Sequence, residues 1–504
     1  MDQHEPITGE MDMDEFRQSG HQLVEWIADY LEHPERYPVQ SRSRPGDIRA
    51  QLPAAPPDKP ESMAAIISDF EQIIVPGITH WNHPGFFSYF GITGSGPGIL
   101  GELLIAALNV NGMLWRTSPA STELEEMTLD WLRQMMGLPA HFQGIITDTA
   151  SISSMLAIAA AREALNLDIR RQGMAGRVDL PRLRMYVSDQ THSSIEKGAI
   201  TLGIGQEGVR KIQTDDDFRM KPEALRVAIQ EDMAAGWRPF FLTATVGTTA
   251  TTSIDPVTEI GAICREHNIW LHVDGAYGGV AAILPEMRAI LDGAEQADSF
   301  VVNPHKWLFT PVDCSAFYVR DPEILKRAFT LIPDYLKRSE EGVTNYMDWG
   351  VQLGRRFRAL KLWMVIRHFG RDGLAERIRE HIRLGQLVAK WVDADPDFER
   401  LAPTPFSTVC FRACPQGLAT RLRSAELAET EQIEAYLDQL NGELIEAVNA
   451  TGEVFLSPTR LRGRFTIRMA IGNIRSDETI INRTWELLTQ SARQIDARRQ
   501  PVAE

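Results

Sequence analysis

Along this chain the hydrophobic positions change period several times. Between 240 and 319, short apolar runs rich in β-branched and aromatic residues (240–246, 269–273, 298–302 and 314–319) alternate with stretches at 257–267 and 282–291 that read as helical. Runs of that length bounded by turn residues read as buried strands, and their alternation with helices predicts βαβ units around a mostly parallel sheet. Upstream, Leu23, Val24, Ile27 and Leu31 share one face of a helix expected over 16–31, and the proline-rich stretch 52–60 marks an irregular connector. Downstream, helices expected over 429–448 and 478–494 mix with strands over 454–457 and 464–470, an α+β lobe that ends in a frayed tail at Arg498 and Arg499.

Parallel sheets bind ligands beyond the carboxyl ends of their strands. The residues that follow the predicted strands are Gly247-Thr248-Thr249, then Asp274, then Asn303-Pro304-His305-Lys306-Trp307. A lysine in an apolar setting needs a charge partner, or a lowered pKa that lets its neutral amine attack a carbonyl such as that of pyridoxal phosphate. A carboxylate at the neighbouring strand end suits the same cofactor, because it holds a proton on the pyridine nitrogen. Gly275 and Ala276 let a flat ring approach the backbone closely. The competing reading is a structural ion pair or two solvated strand ends. Thr147-Asp148-Thr149-Ala150-Ser151 leads into a helix with Ile152, Met155, Leu156 and Ala159 on one face, and a helix N-terminus suits a phosphate.

The segments His272-Val273-Asp274-Gly275-Ala276-Tyr277 and Asn303 to Trp307, with Thr79-His80-Trp81, Ser118 to Glu125, Thr191-His192-Ser193-Ser194 and Leu353 to Arg358, resemble the pyridoxal-phosphate-dependent amino-acid decarboxylases of the aromatic-L-amino-acid decarboxylase type. The resemblance runs over about 16–488. It implies an α/β fold of the aspartate-aminotransferase-like kind (fold type I). A helical dimerisation segment (1–91) would precede a large cofactor domain with a mostly parallel sheet (92–363) and a C-terminal α+β domain (364–504). It makes Lys306 the covalent anchor of the cofactor, pairs Asp274 with the pyridine nitrogen and stacks His192 on the ring. Thr149, Ala150, Ser151 and Asn303 would contact the phosphate, with Thr249, Ala276 and His305 also beside the cofactor. Two positions depart from the family pattern: Asp148 replaces a glycine and Ile152 a glutamate.

Decarboxylation also needs a proton returned to the α-carbon, best from a lid that excludes water. The polar, glycine-bearing stretch 332–349 reads as such a loop, and the resemblance places Tyr346 at the protonating tyrosine, where aldehyde-forming relatives carry phenylalanine. Trp81, Tyr89, Phe90, Ile92, Asn111, Met113 and Gly354 match substrate-pocket positions. Asn111 and Met113 lie on a segment that in the family reaches in from the other subunit of a homodimer. Gly354 matches the choice of indole-accepting relatives, so the substrate expected is an aromatic L-amino acid: tryptophan, tyrosine, phenylalanine or DOPA.

Composition narrows the partners. The 504 residues carry 52 Lys and Arg against 68 Asp and Glu, a net charge of −16, which argues against nucleic acid or an anionic membrane. Four cysteines do not make a disulfide framework and favour a reducing, cytoplasmic setting, and residues 1–15 lack the apolar core of a signal peptide. Gly96-Pro97-Gly98-Ile99-Leu100-Gly101 fits the GxGxxG pattern of NAD-dependent oxidoreductases, yet Pro97 removes an N–H from the loop. His80 with His83, and Cys410 with Cys414, have the spacing of metal ligands but no completing residues, so no metal is expected. An acidic amino-acid decarboxylase would need a cation in its pocket, for which Arg116 is the candidate. An aromatic aldehyde synthase would use the same cofactor site.

Overall fold

The structure is a computed structural model and describes residues 10–331, 342–424 and 426–499. Its centre is a seven-stranded sheet built from β1 (Gln143–Thr147), β2 (Arg182–Ser188), β3 (Val209–Ile212), β4 (Trp237–Thr245), β5 (Trp270–Asp274), β6 (Ser299–Val302) and β7 (Ser315–Val319), in the order β1-β7-β6-β5-β4-β2-β3. Strands β2 to β6 pair in parallel, and β7 runs antiparallel to both β6 and β1. Successive residues serve opposite faces. Leu271, Val273, Phe300 and Val302 join the core that includes the helix Val257–His267, whereas Trp270, Val301 and Phe317 join the one under the helix Ala150–Ala164. Both faces are therefore covered, which accounts for near-continuous apolar runs in place of an alternating pattern.

A second, antiparallel sheet orders β8 (Phe398–Arg400), β9 (Thr408–Ala413), β10 (Ser457–Leu461) and β11 (Arg464–Ala470) as β10-β11-β9-β8. The helices Leu427–Ala450 and Glu478–Arg499 pack on it around their own core. The helix Ala359–Ala394 joins the two parts, kinked where Gly370 takes φ 66°, and it runs across the boundary expected at 363.

Several local expectations change. The stretch 282–291 is two 3-10 segments, Gly278–Ile283 and Pro285–Leu291, because Pro285 has no N–H with which to continue a helix through the junction. The strand expected over 454–457 begins instead at Ser457. Arg498 and Arg499 close the last helix, where Arg499 pairs with Glu443, so they are not frayed. Residues 1–9 and 500–504 lie outside the described residues. The GxGxxG glycines open the helix Gly96–Leu108, with no strand directly before it. A Cβ on Gly98 would come 2.3 Å from Pro311, and one on Gly101 would come 2.7 Å from the Lys361 backbone. These glycines allow close helix packing, so the dinucleotide reading falls.

Candidate active site

The carboxyl ends of β1, β4, β5 and β6 surround a cavity of about 190 Å³. Phe90, Thr149, Ala150, Ser151, His192, Thr249, Asp274, Ala276, Asn303, His305 and Lys306, all expected at the site, line it. Lys306 stands on the short helix Pro304–Trp307, which follows β6 directly, and its Nζ lies 5.1 Å from the centre of the Phe90 ring. Burial pushes its amine below the ordinary lysine value, Asp274 opposes that shift and Arg468 adds to it.

Asp274 ends β5, is 6% exposed, and accepts the Ala276 N–H at 3.0 Å. Neither Asp274 nor Lys306 has an ion-pair partner among the described residues. A carboxyl group and an amine thus share one cavity without pairing, an arrangement that costs free energy unless something lies between them. Thr245, opposite Asp274 on β4, also lines the cavity with a buried hydroxyl that has no partner. A pyridoxal ring fits this set: a nitrogen for Asp274, an aldehyde for Lys306, and a flat body against small residues.

The phosphate end is equally formed. The helix Ala150–Ala164 leaves the first two amides, those of Ala150 and Ser151, without helical carbonyl partners, while Ile152 and Ser153 bond the Thr149 carbonyl. Asn303 Oδ1 accepts a hydrogen bond from Ser315 Oγ at 2.7 Å, which leaves its Nδ2 for the cavity. Ser315 donates to Asn303, and Ser153 joins it to Thr147 in one hydroxyl cluster, 3.1 Å from Ser315 and 2.8 Å from Thr147. Asp148 turns onto the Thr149 amide (2.6 Å), with Gln352 Nε2 at 3.5 Å from its other oxygen. Ile152 packs into the core beneath.

Two histidines are held as neutral rings. His192 caps the helix Ser193–Thr201 and accepts the Ser194 N–H at Nδ1 (3.2 Å), so its ring proton is on Nε2. Its pKa is lowered by burial first and by Lys306 second. His305 accepts the Cys314 N–H at Nδ1 (2.9 Å), and burial takes its pKa down to about 3.

Other expected residues stand apart from this cavity. Tyr346 is 2% exposed in the core beneath β1, where its hydroxyl donates to the Gly144 carbonyl at 3.2 Å and Arg355 lies 4.5 Å over its ring. Gly144 is near the opposite end of β1 from Thr147, so in this structure the Tyr346 hydroxyl stands apart from the cavity. Residues 332–341 of the expected loop lie outside the described residues. Trp81 and Tyr89 stack at 5.7 Å as an exposed pair, and Ile92 is half-buried near them in sequence. Exposed Asn111 and Gly354 form another group with half-buried Met113. Asn111 Oδ1 accepts the Arg355 N–H at 2.9 Å, its Nδ2 faces Met113 Sδ at 3.7 Å, and a Cβ on Gly354 would meet it at 3.8 Å. Arg116 is exposed close by in the chain. His80 bonds the Tyr30 hydroxyl and His83 the Gly85 amide, which accounts for both without a metal.

Arg468 and Thr245 escaped notice in the sequence. Arg468 is 4% exposed, its guanidinium lies 4.5 Å over the Phe90 ring, and it donates to the carbonyls of Ala250 and Tyr89. An arginine inside the apolar strand Phe465 to Ala470 was the available signal, since arginine is rarely buried without a purpose.

Residues 45–414 match the pyridoxal-dependent decarboxylase conserved domain. The chain is 40% identical over 497 residues to tyrosine decarboxylase 2 of Arabidopsis thaliana, covering 96% of this chain and 88% of that one. It is 39% identical over 493 residues to phenylacetaldehyde synthase of the same plant, covering 96% of each. The solved structure of Oryza sativa TDC with PLP and tryptamine superposes with a TM-score of 0.90 at 36% identity, covering 97% of this chain and 99% of that one. With this match over residues 45–414 and relatives about 40% identical across nearly the whole chain, the chain belongs to the pyridoxal-dependent decarboxylases.

Proposed function

We propose that this protein decarboxylates an aromatic L-amino acid to its amine and CO2 with pyridoxal phosphate. The observation that carries this reading is the unpaired Asp274 and Lys306 in one cavity. When bound, the cofactor supplies an electron sink for the pair left on the α-carbon as CO2 departs. Lys306, its pKa lowered by burial, would hold the cofactor through its aldehyde, Asp274 would keep the ring nitrogen protonated, and the amides of Ala150 and Ser151 with Asn303 Nδ2 would hold its phosphate. His192 offers its Nε2–H to the substrate carboxylate. A desolvated cavity favours loss of a charged carboxylate as neutral CO2.

Trp81, Tyr89, Asn111, Met113 and Gly354 would select the side chain, the last three by reaching the cavity of a second copy. A homodimer is supported by the helix Met13–Glu32, which buries none of its residues, and by Leu100, Leu103, Leu104 and Leu108 on one helix, 46–58% exposed. The exposed area of 24920 Å² also exceeds the roughly 19,000 Å² of a compact monomer of this mass. Four free, buried cysteines support a reducing compartment, the cytoplasm.

Similarity to a phenylacetaldehyde synthase, together with the packed position of Tyr346, favours a second reading in which the same site forms an aldehyde, CO2, ammonia and hydrogen peroxide from substrate, O2 and water. Turnover of tryptophan, tyrosine, phenylalanine and DOPA decides between them. The first reading expects amine equal to CO2 with no peroxide. Peroxide and ammonia equal to CO2 would replace it with the second.

A further inference from the structure

We propose that His381 is a positioning residue that couples the seat of Lys306 to the aromatic arm bearing Trp81. This deepens the functional reading above and rests on it for the role of both ends. Lys306 lies over Phe90, which stacks on Tyr277 (4.0 Å, 21°), which in turn stacks on Trp307 (4.7 Å, 8°), the residue next to Lys306. Tyr277 is fixed at its far end. Ser407 gives its only proton to the Ile471 carbonyl (2.6 Å), so the Tyr277 hydroxyl donates to Ser407 (2.8 Å).

Trp307 is fully buried, and its indole N–H can only donate. Its acceptor is His381 Nδ1 at 2.9 Å, on the helix Ala359–Ala394. An imidazole that accepts at Nδ1 carries its proton on Nε2, and here that N–H donates to the Asn473 carbonyl at 2.9 Å. Asn473 then donates through Nδ2 to the carbonyls of His83 (2.8 Å) and Trp81 (3.3 Å). His381 is 3% exposed and coplanar with Trp307 within 7°. One ring therefore links the lysine-bearing turn, the long connecting helix, the segment after β11 and the arm that carries Trp81.

An apolar residue would fill the same space but would leave a buried indole N–H and a buried carbonyl unpaired. A buried polar network specifies one orientation where packing alone tolerates several. The carboxamide of glutamine presents an acceptor oxygen and a donor N–H with nearly the spacing of the two imidazole nitrogens. It is the replacement that restores both bonds.

The test compares wild type, His381→Leu and His381→Gln by two readouts: affinity for pyridoxal phosphate from the absorbance of the bound cofactor, and KM and kcat for tryptophan. His381→Leu is expected to weaken cofactor binding about tenfold and to raise KM for tryptophan about tenfold, the effect of one lost buried hydrogen bond at each end. His381→Gln is expected to recover both to within about threefold. A leucine variant indistinguishable from wild type overturns the proposal, as does a glutamine variant as impaired as the leucine one. If His381→Leu does not fold, His381→Asn replaces it, since its shorter amide reaches only one of the two partners. If wild type converts no aromatic amino acid, the functional reading fails, while the cofactor-affinity arm still decides whether His381 seats Lys306.

Discussion

The cofactor cavity and the side-chain-selecting residues differ in where they are built. Every cofactor residue expected from the sequence converges on one cavity inside one chain, because parallel strands deliver their carboxyl ends to the same edge. Of the residues expected to select the side chain, only Phe90 lines that cavity; Trp81 with Tyr89, and Asn111 with Gly354 and half-buried Met113, form two groups at the surface. On the proposed reading, chemistry would belong to the sheet edge, and selectivity to surface segments that a second copy would complete. Substitutions in the first region should act on rate, and those in the second on choice of substrate.

The largest effect expected is that of Asp274→Ala. Removing a buried charge partner costs about 3–5 kcal/mol, so kcat should fall by roughly two to four decades in steady-state assays. A fall of less than tenfold would detach Asp274 from the chemistry.

Acid should weaken the cofactor region of the apoprotein through its neutral histidines. Burial lowers His272 and His381 to about 4 and His305 to about 3, so the unfolded chain binds protons near pH 6.5 that the folded chain refuses. Stability is complete above about pH 6.5 and is lost as pH falls toward 4, by up to about 3 kcal/mol for each histidine. Asp255, raised to about 6 by burial, works the other way between about pH 4 and 6, because the folded state takes its proton first. Three groups outweigh one, so the thermal midpoint should drop between pH 7 and 4.5. A flat profile would contradict neutral burial of these rings.

Tyr346→Phe removes only a hydrogen bond to Gly144, about 1–3 kcal/mol of stability, and the product should stay the same. A switch from amine to aldehyde would return Tyr346 to the chemistry. The smallest effect is expected at the selecting surface. Gly354→Ser fits, since a Cβ there meets only Asn111 Nδ2 at 3.8 Å, and it should move preference from indole toward phenol by roughly threefold to tenfold in kcat/KM. A change in kcat alone, equal for both substrates, would break the division between the two regions.

The legibility of the sequence followed the same division. Asp274 and Lys306 could be read because one ends its strand and the other stands on the turn just after its own, and local order fixes where such a residue points. Arg468 reaches Phe90 only through the fold of the second sheet, and no local pattern announces that meeting. Polar residues at 337–342 made the whole stretch to 349 read as a loop. The apolar Tyr346, Met347 and Trp349 instead form a buried 3-10 turn. Likewise, 282–291 looked helical by composition until Pro285 divided it.

The central claim is that Lys306 anchors the cofactor opposite Asp274. Reconstitution with pyridoxal phosphate, borohydride reduction and peptide mapping tests it directly. The account predicts a single pyridoxyl-lysine at Lys306, with Lys306→Ala losing both the label and amine formation. Label on another lysine, or amine formation that survives in Lys306→Ala, would contradict it.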